Sequence, residues 1–220
     1  MIRAVIFDMD GLLVDSEPVW NDARKWMAEQ AGRPWTADDH RAVMGVSTEE
    51  WADYMIDRLA LDLSPAEVIE AVIGHMVEVY RDGIPWFAGA TAAIDLASGH
   101  YPTAVASGSH PALIETVMAD PAVRGRFSVI VAADEIGVGK PAPDVYLAAA
   151  ERLGVEPTDC VCLEDSGNGI LAGVRAGMRV IAVPDPRFPP APEQLDQAHL
   201  RLRSLAELTL EQLAGPSGPV

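Results

Sequence analysis

Cysteine is nearly absent from this chain: it holds two, Cys160 and Cys162, in 220 residues. They lie two apart in the apolar run Cys160-Val161-Cys162-Leu163. On a strand both side chains would face one side, adjacent along a single chain. That placement suits buried thiols rather than a disulfide or a metal pair. Basic residues are also scarce. Lys and Arg total 16 against 33 Asp and Glu, giving a formal net charge of −17. Such a surface repels phosphate backbones and argues against nucleic acid as a partner. A phosphorylated small molecule would have to be drawn in by a local positive site or a bound cation. Long apolar runs are missing too. No stretch approaches the ~20 apolar residues of a membrane span. The opening run Met1-Ile2-Arg3-Ala4-Val5-Ile6-Phe7-Asp8 is too short in apolar residues for a secretory signal. A cytoplasmic protein with no membrane partner is expected. No long apolar surface stripe stands out, so a monomer is expected as well. His40, His75, His100 and His199 show no paired spacing and read as surface residues or residues of the helical segment described below.

Apolar residues make up about half of the sequence, enough for a sizeable core. Arg3–Phe7 is a β-rich run ending in acidic residues and glycine, which predicts a buried strand. Similar runs follow at Thr103–Ala106, Val129–Ala132, Cys160–Leu163 and Met178–Val183. Helical patterns separate them, around Ala90–Ala97, Ala112–Met118, Asp144–Leu153 and Asn168–Ala176. Strands alternating with helices predict an α/β fold, a doubly wound and mostly parallel sheet. Ligands of such sheets sit beyond the carboxyl ends of the strands.

Residues 17–82 break the pattern, with no convincing strand and several helical stretches. Ser47-Thr48-Glu49-Glu50 and Ser64-Pro65-Ala66-Glu67 both read as helix starts, with Glu three residues after Ser. Trp20, Trp26, Trp35 and Trp51 fall in this segment. A separate helical domain is expected at 17–82, inserted into a core formed by 1–16 and 83–220. Gly83, Pro85 and Gly89 would mark the return linker. The proline-rich stretch Pro184–Pro192 is expected to be a loop. A last helix is expected at Thr209–Leu213 and a frayed tail at Gly215–Val220.

Four clusters carry candidate chemistry. Asp8-Met9-Asp10-Gly11 puts two carboxylates at the tip of the first strand, where Gly11 permits a sharp turn. One acid could attack phosphorus, and the other could protonate the leaving oxygen and then activate water. An ordinary acidic turn is the alternative. Glu164-Asp165 ends the fourth strand, and carboxylates converging there would repel one another unless an oxygen-seeking cation such as magnesium bridged them. Helix capping by Asp165 or Ser166 is the competing reading. Ser107-Gly108-Ser109 offers a hydroxyl and backbone N–H groups to a phosphate at a helix start, though such turns are usually only turns. His110 follows it, and both a surface place and a pocket rim stay open. Gly139-Lys140-Pro141 places one ammonium where it could offset phosphate charge, though a lone Lys is in most cases a solvated surface charge.

Each cluster is weak alone, but each follows a separate predicted strand, so a parallel sheet collects all of them on one edge. Together, Asp8-Met9-Asp10-Gly11-Leu12-Leu13-Val14-Asp15-Ser16-Glu17, Ala106-Ser107-Gly108, Gly139-Lys140-Pro141 and Leu163-Glu164-Asp165-Ser166 resemble the motifs of the haloacid dehalogenase superfamily. The resemblance runs from residue 3 to about 185 and includes the helical insert, which resembles the cap of the β-phosphoglucomutase-like branch. It implies that Asp8 is the nucleophile and Asp10 the general acid and base. It implies magnesium held by Asp8, by the backbone carbonyl of Asp10 and by Asp165, with Glu164 as an outer or alternative ligand. Ser107 and Gly108 would hold the phosphoryl group, and Lys140 would offset its charge. The cap would close over the site and choose the substrate, with hinges near Val14–Ser16 and Asp82–Pro85.

The mutase of that branch carries a His after the first motif and basic cap residues. This chain has Trp20, Met44 and Glu49 at those places, with only Arg41, out of alignment, to contribute charge. Hydrolysis is therefore expected over mutase activity. Asp8–Trp20 looks most like the sugar-phosphate and hexitol-phosphate phosphatases, which implies a small phosphate ester such as a hexitol or deoxyhexose monophosphate. Asp10 together with Asp165 argues against a dehalogenase. Intact polar residues in all four motifs argue against a purely binding role. Trp26 and Trp51 read as helix packing, while Trp20 leaves packing and substrate contact open.

Overall fold

The computed structural model describes residues 1–44 and 46–215. The first apolar run forms β1 (Ala4–Phe7), buried along its whole length. Four helices follow: α1 (Glu17–Gln30), α2 (Ala37–Ala42), α3 (Thr48–Leu59) and α4 (Pro65–Asp82). The chain then alternates. Helix α5 (Ala90–Ser98) precedes β2 (Thr103–Ser107), and α6 (Pro111–Met118) precedes β3 (Val129–Ala132). Helices α7 (Ala133–Ile136) and α8 (Asp144–Leu153) precede β4 (Cys160–Glu164), and α9 (Gly167–Arg175) precedes β5 (Arg179–Ala182). Helix α10 (Pro192–Leu195), β6 (Leu200–Arg201) and α11 (Leu210–Ala214) end the described chain.

The strands form one sheet in the order β3-β2-β1-β4-β5-β6, and every pairing is parallel. This is the α/β architecture that the alternating pattern predicts. The order reverses at β1, so the tips of β1, β2 and β4 lie side by side at the switch point where ligands of such sheets bind. The ladder continues past β1, because Asp8 N donates to Leu163 O at 3.1 Å. Asp8 is thereby fixed beside the end of β4.

Cys160 and Cys162 are buried and free. They sit in one apolar cluster with Ala4, Ile6, Val145, Tyr146 and Ile170, as expected of core thiols. Burial pushes both thiols up, that of Cys160 to about 11.

The chain divides into two compact units, one of residues Met1–Asp15 and Pro85–Val220, the other of Ser16–Ile84. In the second, α4 packs on α1 and α3. Ser47 and Ser64 cap their helices with reciprocal Glu bonds, the pattern read from the sequence. Thr36 and Asp39 form a third such box at α2. In the first unit the two chain segments next to the boundary are stitched together: Asp15 N donates to Pro85 O at 2.8 Å and Phe87 N to Leu13 O at 2.9 Å.

Four elements depart from expectation. Strand β6 was not anticipated, because two residues carry no apolar run to announce them. Helix α7 has only four residues, too few to show a helical period. The proline-rich stretch is irregular until Pro192, which opens α10; proline suits a first helical turn, where its missing N–H has no partner to lose. The last helix is shifted by one residue, since Thr209 is its N-cap. The tail expected at Gly215–Val220 lies, from residue 216, outside the described residues. No helix among the described residues is long and apolar enough to cross a membrane.

Candidate active site

The tips of β1, β2 and β4 and the loop before α8 bring Asp8, Asp10, Ser107, Lys140, Glu164 and Asp165 together. The chain leaves β1 in a tight turn: Gly11 N donates to Val14 O at 2.9 Å, and Gly11 has φ +80°. A Cβ on Gly11 would lie 2.2 Å from Asp165 Oδ2. Glycine is required there twice over, by the left-handed backbone and by the approaching carboxylate.

Lys140 is the hub. Its ammonium has three protons and donates three bonds: to Asp8 Oδ1 at 2.5 Å, to Glu164 Oε1 at 2.6 Å and to Ala106 O at 3.1 Å. Burial works against its charge, but Asp8 and Glu164 outweigh it and hold the ammonium pKa above its ordinary value. Glu164 is fully buried. Its Oε1 also accepts from Tyr146 Oη at 2.6 Å, and its Oε2 accepts from Ser166 Oγ and from the amides of Asp165 and Ser166. Each oxygen of Glu164 is therefore engaged by protein donors.

Asp10 is held from one side. Its Oδ2 accepts from Ser109 Oγ at 2.5 Å and Ser107 Oγ at 3.3 Å. Ser107 Oγ accepts in turn from Ser109 N at 3.0 Å. Asp10 Oδ1 and Asp165 Oδ1 are buried without a hydrogen-bond partner. An orphaned carboxylate oxygen is costly, so these two mark where a ligand or cation belongs.

The electrostatics agree. Burial pushes the Asp8 carboxyl up to about 8; Glu164 and Asp10 add to this and Lys140 opposes it. Burial, then Glu164 and Asp8, raises Asp165 well above the usual carboxylate range. One ammonium does not neutralise this many carboxylates. Oxygens of Asp8, Glu164 and Asp165 lie within 4.8 Å of one another, and an all-oxygen donor set suits a hard divalent cation. The residues present fit such an ion.

The remaining sequence candidates go elsewhere. His110 caps α6, its Nδ1 accepting from Ala112 N. His199 Nδ1 accepts from Val180 N. His75 stacks on Trp26 with ring centroids 4.5 Å apart, so Trp26 is a packing residue. Arg41 pairs with Asp38 and brings no free charge to the helical unit.

The haloacid dehalogenase-like hydrolase family matches residues 2–177. The chain belongs to this family. As a haloacid dehalogenase-like hydrolase it has near relatives among curated proteins. Hexitol phosphatase B of Escherichia coli K12 is 35% identical over 217 residues, covering 97% of each chain. Fructose-1-phosphate phosphatase YqaB of the same organism is 34% identical over 182 residues, covering 81% of this chain and 95% of that one. Among solved structures, CbbY from Rhodobacter sphaeroides in complex with phosphate superposes with a TM-score of 0.80. It is 29% identical and is covered over 96% of its length by 94% of this chain.

Sequence reasoning passed over two residues of this candidate site. Ser109 was visible inside the Ser-Gly-Ser turn, but nothing marked it as a partner of Asp10. Tyr146 had no signal, because one tyrosine on an apolar helix face looks like any other core residue.

Proposed function

We propose that this haloacid dehalogenase-like hydrolase is a magnesium-dependent phosphatase of sugar or polyol monophosphates that works through an aspartyl-phosphate. The observation that supports it best is the pairing of two unlike carboxylates at one sheet edge. Asp8 is held by Lys140, and Asp10 is held by two hydroxyls with one oxygen left open. The relatives named above, a hexitol phosphatase and a fructose-1-phosphate phosphatase, support the substrate class.

In this reading a carboxylate oxygen of Asp8 attacks phosphorus. The ester P–O bond breaks, and Asp10 gives its proton to the departing alkoxide. Asp10 then takes a proton from water as that water attacks the aspartyl-phosphate. The P–O bond to Asp8 breaks, inorganic phosphate leaves and the Asp8 carboxylate returns. Lys140 keeps Asp8 oriented and offsets the charge of the incoming phosphate. Ser107 and the Gly108 amide position the phosphoryl oxygens. Magnesium would be held by Asp8, Asp165 and the backbone carbonyl of Asp10, and when bound it supplies charge neutralisation for phosphoryl transfer. Glu164, already engaged by Lys140, Tyr146 and the Ser166 segment, serves as a positioning group rather than a direct ligand.

Ser16–Ile84 serves as the cap that selects substrate. The kinship to bacterial metabolic phosphatases supports action on small phosphate esters; a cytoplasmic, monomeric protein is part of this reading. The test is phosphate release from sugar, polyol and nucleotide monophosphates after chelation, with magnesium then restored. Release that needs magnesium and favours the sugar and polyol esters is expected. Isomerised sugar phosphate formed with a bisphosphate activator, and no phosphate release, would instead mark a mutase.

A further inference from the structure

Glu164 ends β4 as a fully buried carboxylate, and five donors meet it. Lys140 Nζ and Tyr146 Oη donate to Oε1, both at 2.6 Å. Ser166 Oγ and the amide of Asp165, both at 3.2 Å, and the amide of Ser166, at 3.3 Å, donate to Oε2. A Cβ on Gly169 would lie 1.8 Å from Oε1 and 2.1 Å from Oε2, so glycine leaves the space that the carboxylate fills. Tyr146 is fixed in turn by packing. It is fully buried on α8, in one apolar cluster with Ile6, Val145 and Ile170. Lys140 Nζ lies 5.0 Å from its ring centroid. One residue thus touches both members of the Lys140–Glu164 pair: the ring attracts the ammonium, and the hydroxyl donates to the carboxylate.

A buried carboxylate needs its oxygens satisfied, and satisfaction of both also denies it freedom to turn. Asp165 Oδ1, by contrast, has no partner, and oxygens of Asp8, Glu164 and Asp165 lie within 4.8 Å of one another. The cation site proposed above therefore borders one carboxylate with an open oxygen and one that cannot move without losing hydrogen bonds. Divalent cations respond differently to such a border. Magnesium demands near-octahedral ligands at about 2.0–2.1 Å, while calcium takes about six to eight oxygens at about 2.3–2.6 Å in adaptable geometry. A rigid Glu164 resists the widening and the extra oxygen that calcium would recruit. We propose that Tyr146, assisted by Ser166, biases this site toward magnesium and against calcium by fixing the Glu164 carboxylate. Tyr146 acts through Glu164 and is a positioning residue. This role rests on the magnesium reading of the site and adds what enforces the choice of ion.

The test measures binding of magnesium and of calcium to the full chain by isothermal titration calorimetry, with no substrate present. Wild type, Tyr146→Phe, Ser166→Ala and Val145→Ala are compared. The readout is the ratio of the calcium to the magnesium dissociation constant. Tyr146→Phe keeps the ring and removes only the hydroxyl. It should lower the ratio about tenfold, the lower end of what hydrogen-bond partners of a metal site are worth. Ser166→Ala strips a donor from the other oxygen and should lower the ratio in the same direction; it decides the matter if Tyr146→Phe does not fold. Val145→Ala loosens the same helix without removing a donor to Glu164, and should keep the wild-type ratio. A purely structural Tyr146 would weaken both ions together. An unchanged ratio in a folded Tyr146→Phe that still binds magnesium would therefore overturn the positioning role alone. An equal fall in Val145→Ala would overturn it too, and assign the effect to loosening of the core. A wild type that binds neither ion would overturn the magnesium reading and this role with it.

Discussion

Ser109 Oγ donates to Asp10 Oδ2 at 2.5 Å, and the second hydroxyl on that oxygen, Ser107 Oγ, is 3.3 Å away. Ser109 therefore does most to hold Asp10 in one orientation, with Oδ1 left open. Ser109→Ala should lower kcat about tenfold, the worth of one hydrogen bond, with little change in KM. Ser109→Thr, which restores the hydroxyl, should recover most of it. Steady-state kinetics on a hexitol monophosphate check this. A change in KM alone would assign Ser109 to substrate binding instead.

Asp10→Asn should cost about 10²–10⁴-fold in turnover, the usual share of general acid–base catalysis. The loss should shrink for esters with good leaving groups, such as p-nitrophenyl phosphate, which need little protonation. Equal loss on alkyl and aryl esters would place Asp10 outside proton transfer.

Tyr146 is fully buried and its hydroxyl meets Glu164 Oε1 at 2.6 Å. Tyr146→Phe keeps the ring in the core and removes one donor from a buried carboxylate. A loss of about 1–3 kcal/mol is expected, read by urea unfolding. Lys140 still satisfies Glu164, so the loss should stay below that of Tyr146→Ala, which opens a cavity as well. A stabilised Tyr146→Phe would contradict the account of Glu164.

Asp39 carries a pH-sensitive part of the helical unit's stability. Burial opposes its charge, but bonds from Thr36, then Arg58 and Tyr54, prevail and hold its pKa below the usual carboxylate range. A group whose pKa is depressed on folding contributes stability above its unfolded pKa of about 3.9 and loses it as pH falls through the folded value. The unfolding midpoint of wild type should thus exceed that of Asp39→Asn at neutral pH. The gap should close below about pH 4. A gap that stays constant with pH would show that shape, not charge, sets the role of Asp39.

The parallel sheet was legible because each strand is a short apolar run closed by a polar cluster, and helices fill the intervals. The gathering of motifs at one edge follows from that alternation. Strand β6 and helix α7 were not legible, since two to four residues cannot show a period. The hydrogen bonds that organise the site were also beyond reach. Lys140 touches Asp8 across 132 positions, and Ser109 reaches Asp10 across 99. Such partnerships are set by strand register, not by neighbours in sequence.

The central claim is that Asp8 is the nucleophile, and Asp8→Asn tests it most directly. Asparagine is nearly isosteric and can still accept from Lys140, so the variant should keep the wild-type circular dichroism spectrum. Its release of phosphate from a hexitol monophosphate, with magnesium present, should fall to the detection limit. Turnover by a purified, folded Asp8→Asn at a rate near wild type would contradict the account.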